Sequence, residues 1–232
     1  MALKLYELAA AEDERRFSPF CWRIRMALAH KGLEAEHIPM RFSEKEKIAF
    51  SSQGRVPVLV DGDRTVYDSW QIANYLDETY PNKPSLLGDA AARSLTRFVK
   101  HWDEAVLPPL LFPLIILDLH RNIHDNDKDY FRSSREAKLG MSLEEFADRD
   151  QTVAVEAFRK ALTPLRNTLK DTPYLSGDRP AFADYIILGR FQVARCMSPV
   201  VLLEADDPIY AWRDRMLDAF DGFARHVPAY AC

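Results

Sequence analysis

The apolar residues of the first third of the chain alternate between two periods. Leu3, Leu5 and Leu8 stand among Lys4 and Glu7, a spacing near two that predicts a short strand. From Ser18-Pro19 the period lengthens. Phe20, Ile24, Met26, Ala27 and Leu28 form a broad helical face, and Gly32 is a stop. Ser18 suits the N-cap, because its side-chain oxygen can accept a free N–H of the first turn. Pro19 suits the next position, where a missing N–H loses no helical partner. Ala35 to Ile38 reads as a second strand. Val58-Leu59-Val60 and Thr65-Val66-Tyr67 flank Asp61-Gly62-Asp63-Arg64, a hairpin pattern with an Asp-Gly turn. A further helix begins at Asp68-Ser69, with Gln71 in capping-box spacing to Asp68 and Ile72, Tyr75 and Leu76 at helical intervals. The order is β-α-β, a stretch without clear period, then β-β-α.

Tyr80 to Asp89 carries two prolines and a glycine and reads as a linker. No strand pattern follows it. Ala92 to about Leu107 reads as a helix disturbed by Pro108, Pro109 and Pro113. Ser142-Leu143-Glu144-Glu145 is a capping box that opens or reopens a helix. Val153 to Leu169 is helical with a kink at Pro164. Asp184 to about Met197 is mostly apolar and reads as a buried helix; Asp207-Pro208 caps a last one, which Gly222 stops. The pattern predicts an α+β chain, with an α/β domain over residues 1–84 and an all-helical domain over 85–232.

Composition changes this picture little. The 232 residues are 47% hydrophobic and 28% charged, enough to bury a core in one or two domains. A net charge of -4 argues against a dedicated nucleic-acid binder. The longest nearly apolar run, Ala105 to Leu117, contains three prolines and falls short of the roughly 18 residues a membrane span needs. No basic segment followed by an apolar one suggests a secretory leader. Cys21, Cys196 and Cys232 make no disulfide framework, so a reducing, cytoplasmic setting is expected.

Three signals in the first domain carry chemistry. They are Ser18-Pro19-Phe20-Cys21-Trp22-Arg23 at a helix start, Val56-Pro57-Val58 before the hairpin, and Asp68-Ser69 at the next helix start. Singly, each is an ordinary cap or turn proline. Together, in this order and spacing, they resemble the glutathione transferase family, and the resemblance covers the whole chain. It implies a thioredoxin-like first domain and the family's helical second domain. It implies a cis Pro57, with the Arg55-Val56-Pro57 segment against glutathione and the Val56 backbone pairing with the cysteinyl unit as an added strand would. It implies that Ser69 and the helix N–H groups receive the γ-glutamyl carboxylate, and that Asp68 pairs with the glutamyl ammonium. Ser18 is then the catalytic residue, its hydroxyl donating to the glutathione sulfur. Lowering a thiol pKa by two units needs about 2.7 kcal/mol. A hydrogen bond to a charged group supplies about 1.5–3 kcal/mol, and the helix end about 0.3–1 more. No metal is required. Glutathione as cosubstrate, a hydrophobic electrophile and a homodimer follow from the same resemblance.

Val66-Tyr67-Asp68-Ser69-Trp70-Gln71-Ile72-Ala73-Asn74-Tyr75-Leu76-Asp77 and Pro180-Ala181-Phe182-Ala183-Asp184-Tyr185-Ile186-Ile187-Leu188-Gly189 are similar to serine-type bacterial β-etherases of lignin-derived aryl ethers and to related fungal transferases. Ala181 departs from the Ser or Thr common three residues before the Asp of that helix, and Asp184 reads as structural. Other readings compete. Ser18 to Leu28 is also similar to zeta transferases that isomerise maleylacetoacetate, with Pro19 and Phe20 where those have Ser and Cys. Ser18-Pro19-Phe20-Cys21 looks like a glutaredoxin site lacking its first thiol, which leaves Cys21 a buried hydrophobe. A non-catalytic ligand-binding module is the third. His120 and His124 fall in a polar loop after the broken helix. Arg15, Arg16, Arg23 and Arg25 gather near Ser18, where Arg15 or Arg16 could draw an anionic cosubstrate. Trp102, Phe112 and Tyr130 read as core aromatics that could otherwise line an electrophile pocket.

Overall fold

The computed structural model describes residues 3–230. The first segment comprises β1 (Leu3–Leu8), α1 (Pro19–Lys31), β2 (Ala35–Met40), a 3-10 segment (Lys45–Ser51), β3 (Val58–Asp61), β4 (Arg64–Tyr67) and α2 (Ser69–Thr79). The sheet order is β2-β1-β3-β4. β2 runs parallel to β1, with Leu3 opposite Ala35; β3 is antiparallel to β1, with Tyr6 opposite Val58. β4 returns antiparallel to β3, with Val58 opposite Tyr67. This is the thioredoxin-like arrangement. Strand alternation divides the core. Leu3 and Leu5 join Trp22, Ile24 and Leu28 of α1, whereas Tyr6 packs with Met40, Ile48 and Val58 against the 3-10 segment.

The remaining helices are α3 (Ala90–Asn122), α4 (Asp125–Leu139), α5 (Leu143–Ala147), α6 (Gln151–Ala161), α7 (Thr163–Asp171), α8 (Phe182–Met197) and α9 (Pro208–Asp218). None among the described residues is long and apolar enough to cross a membrane. The division expected after residue 84 falls between α2 and α3.

Four local expectations need correction. The three prolines do not end a helix; they lie inside the 33-residue α3. Leu107, Leu111, Ile115, Ile116 and Leu119 are buried along it, and that apolar stripe outweighs the lost ladder bonds. His120 therefore sits in the last turn of α3, and His124 is the N-cap of α4, its Nδ1 accepting from Asn126 N at 3.2 Å. Pro164 does not kink one helix; it starts α7 just after α6 has ended. α9 stops at Asp218, ahead of Gly222, which serves the following turn at φ +68°.

α8 is the central element: Arg195 apart, all of its residues are buried. As expected, Ala181 makes no side-chain cap. Asp184 supplies the reciprocal half alone, accepting from Ala181 N (3.2 Å), Leu175 N (2.8 Å), Ser176 N (3.2 Å) and Trp212 Nε1 (2.9 Å). Burial pushes its carboxyl pKa up, against the pull of those donors.

Two buried junctions fix α1 to the helices. Asp103 of α3 accepts from Arg23 Nη2 at 2.7 Å and from Arg190 Nε and Nη2 of α8 at 2.8 Å each. At the other end of α1, Lys31 Nζ pairs with Asp77 at 2.8 Å, and Asp77 also accepts from Leu86 N and Leu87 N of the linker at 2.9 and 3.0 Å. Gly189 of α8 lies directly against Pro19, the first residue of α1. The segment after α9 crosses α1, with Phe223 stacked on Trp22 at 5.9 Å between centroids and Tyr230 N donating to Arg195 O at 2.8 Å.

Candidate functional site

One end of the sheet gathers the three sequence signals. Ser18 follows the loop from β1, Val56-Pro57 leads into β3, and Asp68-Ser69 follows β4. The pairings Tyr6–Val58 and Val58–Tyr67 put the three segments side by side.

Ser18 is the N-cap of α1 and its Oγ accepts from Cys21 N at 3.3 Å. An accepting hydroxyl keeps its proton for another partner, and the helix end adds positive potential there. Ser18 is buried, at 6% exposure. Complete burial and the nearby Glu7 carboxylate push the Cys21 thiol up to about 12, so it stays protonated and inert. Cys196 is likewise buried and free, and Cys232 lies outside the described residues.

Val56–Pro57 is cis, as expected. Arg55 is exposed and its backbone is clasped by the Gln53 amide, with Arg55 N donating to Gln53 Oε1 and Gln53 Nε2 to Arg55 O, both at 2.7 Å. The Val56 backbone N–H and C=O have no partner among the described residues, the condition for pairing with an added strand. Asp68, at φ +68°, caps α2: its Oδ1 accepts from Trp70 N (2.9 Å) and Gln71 N (3.2 Å). These two N–H groups are therefore taken, and of the first turn the Ser69 N–H remains for an anion. Ser69 is buried and its Oγ accepts from Arg23 Nη1 at 3.5 Å, which directs the hydroxyl proton away from the cation.

The arginines near Ser18 do not gather for an anion. Arg16 Nε (3.1 Å), Arg25 Nη1 (2.8 Å) and His37 Nδ1 (3.0 Å) all reach Oε1 of the buried Glu7. Burial alone would raise the Glu7 pKa; the His37 hydrogen bond and the Arg25 and Arg16 charges outweigh it and hold the carboxyl below its ordinary value. Arg15 donates to Cys196 O at 2.9 Å and to Glu12 at 3.1 Å, and Arg23 is committed to Asp103. The sequence reading missed Glu7, Asp103 and Arg190. Glu7 was findable, since it shares strand parity with Leu3 and Leu5 and so faces inward.

An aromatic cluster joins the thioredoxin-like half to α4. Phe17, next to Ser18, meets Phe42 at 6.3 Å, and Phe42 meets Phe131 at 6.0 Å and Tyr130 at 6.1 Å between centroids. The loop bearing Phe42 is tied to α4 by Asp127, fully buried, which accepts from Phe42 N and Ser43 N at 2.8 Å each. Trp102 and Phe112 pack on the core, whereas Tyr130 is exposed. Among the described residues no group of His, Cys, Asp and Glu is arranged to hold a metal ion.

The comparisons with known proteins agree with this arrangement. The glutathione S-transferase C-terminal domain matches residues 94–214, and the glutathione S-transferase N-terminal domain matches residues 14–84. The chain belongs to the glutathione S-transferase family. Glutathione is the cosubstrate of that family, and an unpaired strand-like backbone, a free helix N–H and the Ser69 hydroxyl suit its peptide and carboxylate groups. The chain is 41% identical over 78 residues to glutathione S-transferase Z1 of Arabidopsis thaliana, covering 32% of this chain and 35% of that protein. It is 34% identical over 102 residues to glutathione S-transferase U2 of the same plant, covering 42% and 45%. It thus spans less than half the length of these curated relatives. The fold extends further. Glutathione transferase GSTFuA3 of Phanerochaete chrysosporium superposes with a TM-score of 0.83 at 21% identity, covering 96% of this chain and 97% of that one. A glutathione S-transferase of Ceriporiopsis subvermispora, solved in complex with glutathione, gives 0.78 at 20% identity, covering 96% and 98%.

Proposed function

We propose that this family member transfers glutathione to a hydrophobic, aromatic electrophile and that Ser18 holds the glutathione thiolate, in the manner of the serine-type β-etherases. The observation that carries the proposal is the Ser18 hydroxyl at the α1 N-terminus, at the same sheet end as the unpaired Val56 backbone and the Ser69 hydroxyl. In this reading Arg55, Val56 and Pro57 border the cysteinyl unit. The Ser69 hydroxyl and N–H receive the glutamyl carboxylate, and the exposed Asp68 meets the ammonium. The thiol proton leaves to solvent. The sulfur pair then forms a C–S bond at the substrate carbon while the C–O pair of a β-aryl ether departs as aryloxide. Residues 1–84 hold glutathione, and 85–232 with the Phe42 loop shape the electrophile pocket. A homodimer in the cytoplasm completes the proposal on the strength of the family resemblance.

The 41% identity over 78 residues with a zeta-type relative supports a second reading, a glutathione-dependent isomerase. Retention on immobilised glutathione and the 240 nm thiolate band test the common part. Ser18→Ala should retain binding and raise the bound thiol pKa by about two units, equivalent to about 2.7 kcal/mol. An unchanged pKa removes the role assigned to Ser18, and no binding removes both readings. Turnover of a β-aryl ether beside a maleylacetoacetate analogue separates them.

A further inference from the structure

Arg135 is a half-buried cation with no counter-ion among the described residues, set in the aromatic cluster that reaches Phe17 beside Ser18. Its guanidinium lies 4.9 Å from the Phe42 centroid and 4.5 Å from that of Phe131. Phe42 in turn touches Phe17, the residue before Ser18, at 6.3 Å. Among the described residues, the one side-chain hydrogen bond of Arg135 runs from Nη1 to the neutral Ser134 Oγ at 2.8 Å. The carboxylates of its surroundings are committed elsewhere. Asp127 holds the Phe42 and Ser43 amides, Asp125 pairs with Lys128, and Glu136 and Glu144 pair with Arg132. His120, 6.1 Å from Phe131, is kept from adding charge by burial and by Arg132 and Lys128, which lower its pKa. Lys45 donates to the Tyr130 hydroxyl at 2.8 Å, makes no ion pair among the described residues, and adds a second positive charge beside the same aromatic cluster.

A half-buried cation has lost part of its hydration, and an anion that meets it offsets that loss. Burial lowers the Arg135 pKa, and the two rings return only part of the lost hydration. A guanidinium edge matches a carboxylate in bidentate geometry.

We propose that Arg135 is a specificity-determining residue of the electrophile pocket and that the preferred electrophiles are aromatic compounds bearing a carboxylate. The ring lies against the half-buried Phe42 and the exposed Tyr130, and the carboxylate meets Arg135. This rests on the transferase reading given above for its chemistry, but the recognition itself needs no turnover.

The test compares 4-chloro-3,5-dinitrobenzoate with the neutral 1-chloro-2,4-dinitrobenzene in wild type, Arg135→Gln and Arg135→Lys. Thermal melts confirm that each variant is folded. In a transferase, the thiolate displaces chloride from either ring. Arg135→Gln should raise KM for the benzoate about tenfold, or ~1.4 kcal/mol, with KM for the neutral ring and for glutathione unchanged. Arg135→Lys should recover part of the loss. In parallel, calorimetry of 3,5-dinitrobenzoate and 1,3-dinitrobenzene, neither of which has a leaving group, should show the acid binding more tightly in wild type and equally in Arg135→Gln. Equal changes for both electrophiles would make Arg135 structural and overturn the proposal. A change in the glutathione KM alone would assign the guanidinium to glutathione and overturn it as well, as would equal binding of acid and neutral ring in wild type. Selective binding without turnover of either chloride would leave Arg135 recognition standing and refute the transferase reading.

Discussion

Gly189→Ala places a methyl group where α8 carries the start of α1. A Cβ at residue 189 would lie 2.4 Å from Pro19 O and 3.1 Å from Pro19 C, about 1 Å short of ordinary contact with the carbonyl oxygen. The obstacle is backbone, so no side-chain rotation relieves it. In an unhindered helix the change would stabilise by about 1 kcal/mol through propensity. Overpacking of a filled interior costs about 1–3 kcal/mol. The net expectation is a loss of up to about 2 kcal/mol, because the two effects oppose each other. The larger consequence is positional. Pro19 is bonded to Ser18, so relief by moving the α1 N-terminus carries the Ser18 hydroxyl with it. A displacement near 1 Å can reduce a rate about 100-fold. Urea unfolding gives the first quantity; kcat and the 240 nm thiolate titration of bound glutathione give the second. A variant more stable by the full propensity gain, with the thiolate pKa unchanged, would refute the close approach and the link from α8 to Ser18.

Two further changes probe the junctions. Asp103→Asn removes the charge shared by the buried Arg23 and Arg190, and breaking such a pair costs about 3–5 kcal/mol; the urea midpoint should fall accordingly, and the glutathione KM should rise because Arg23 also orients Ser69. Asp77 concerns pH. Burial raises its pKa, but Lys31 and the Leu86 and Leu87 amides outweigh burial and hold it below the ordinary value. The folded carboxyl therefore releases its proton more readily than the unfolded one. Its stabilisation is complete above about pH 3.9 and disappears as pH falls through the lower folded value. Thermal melts of Asp77→Asn should be lower than wild type at pH 7 and should converge with it in acid; a constant difference across that range would contradict the ion pair.

The first segment was readable because its signals are local. Ser-Pro caps, an Asp-Gly turn and strand alternation each act within a few residues, and the helix starts at Pro19 and Ser69 fall where they indicate. α3 was not readable at its prolines, since the forces that carry it past Pro113 come from neighbours distant in sequence. α4 was missed for a different reason. Its stretch Asp-Asn-Asp-Lys-Asp-Tyr-Phe-Arg-Ser-Ser-Arg has no apolar stripe, and it buries only Asp127 and Phe131. What places that helix is a carboxylate accepting two amides of a distant loop, a contact no periodicity encodes.

The candidate site divides along the same line. The groups assigned to glutathione are caps, a cis peptide and free backbone, which neighbouring residues specify. The groups assigned to the electrophile are side chains from the Phe42 loop and α4, joined only by packing. Charge alone misled at this boundary. Four arginines close to Ser18 in sequence are spent on Glu7, Asp103, Glu12 and a backbone carbonyl, whereas Arg135, 117 residues further along, meets no carboxylate among the described residues. A cation marks an anion site only after its neighbours have been counted, and by that criterion the positive charge available to a second substrate lies on α4 and not at the start of α1.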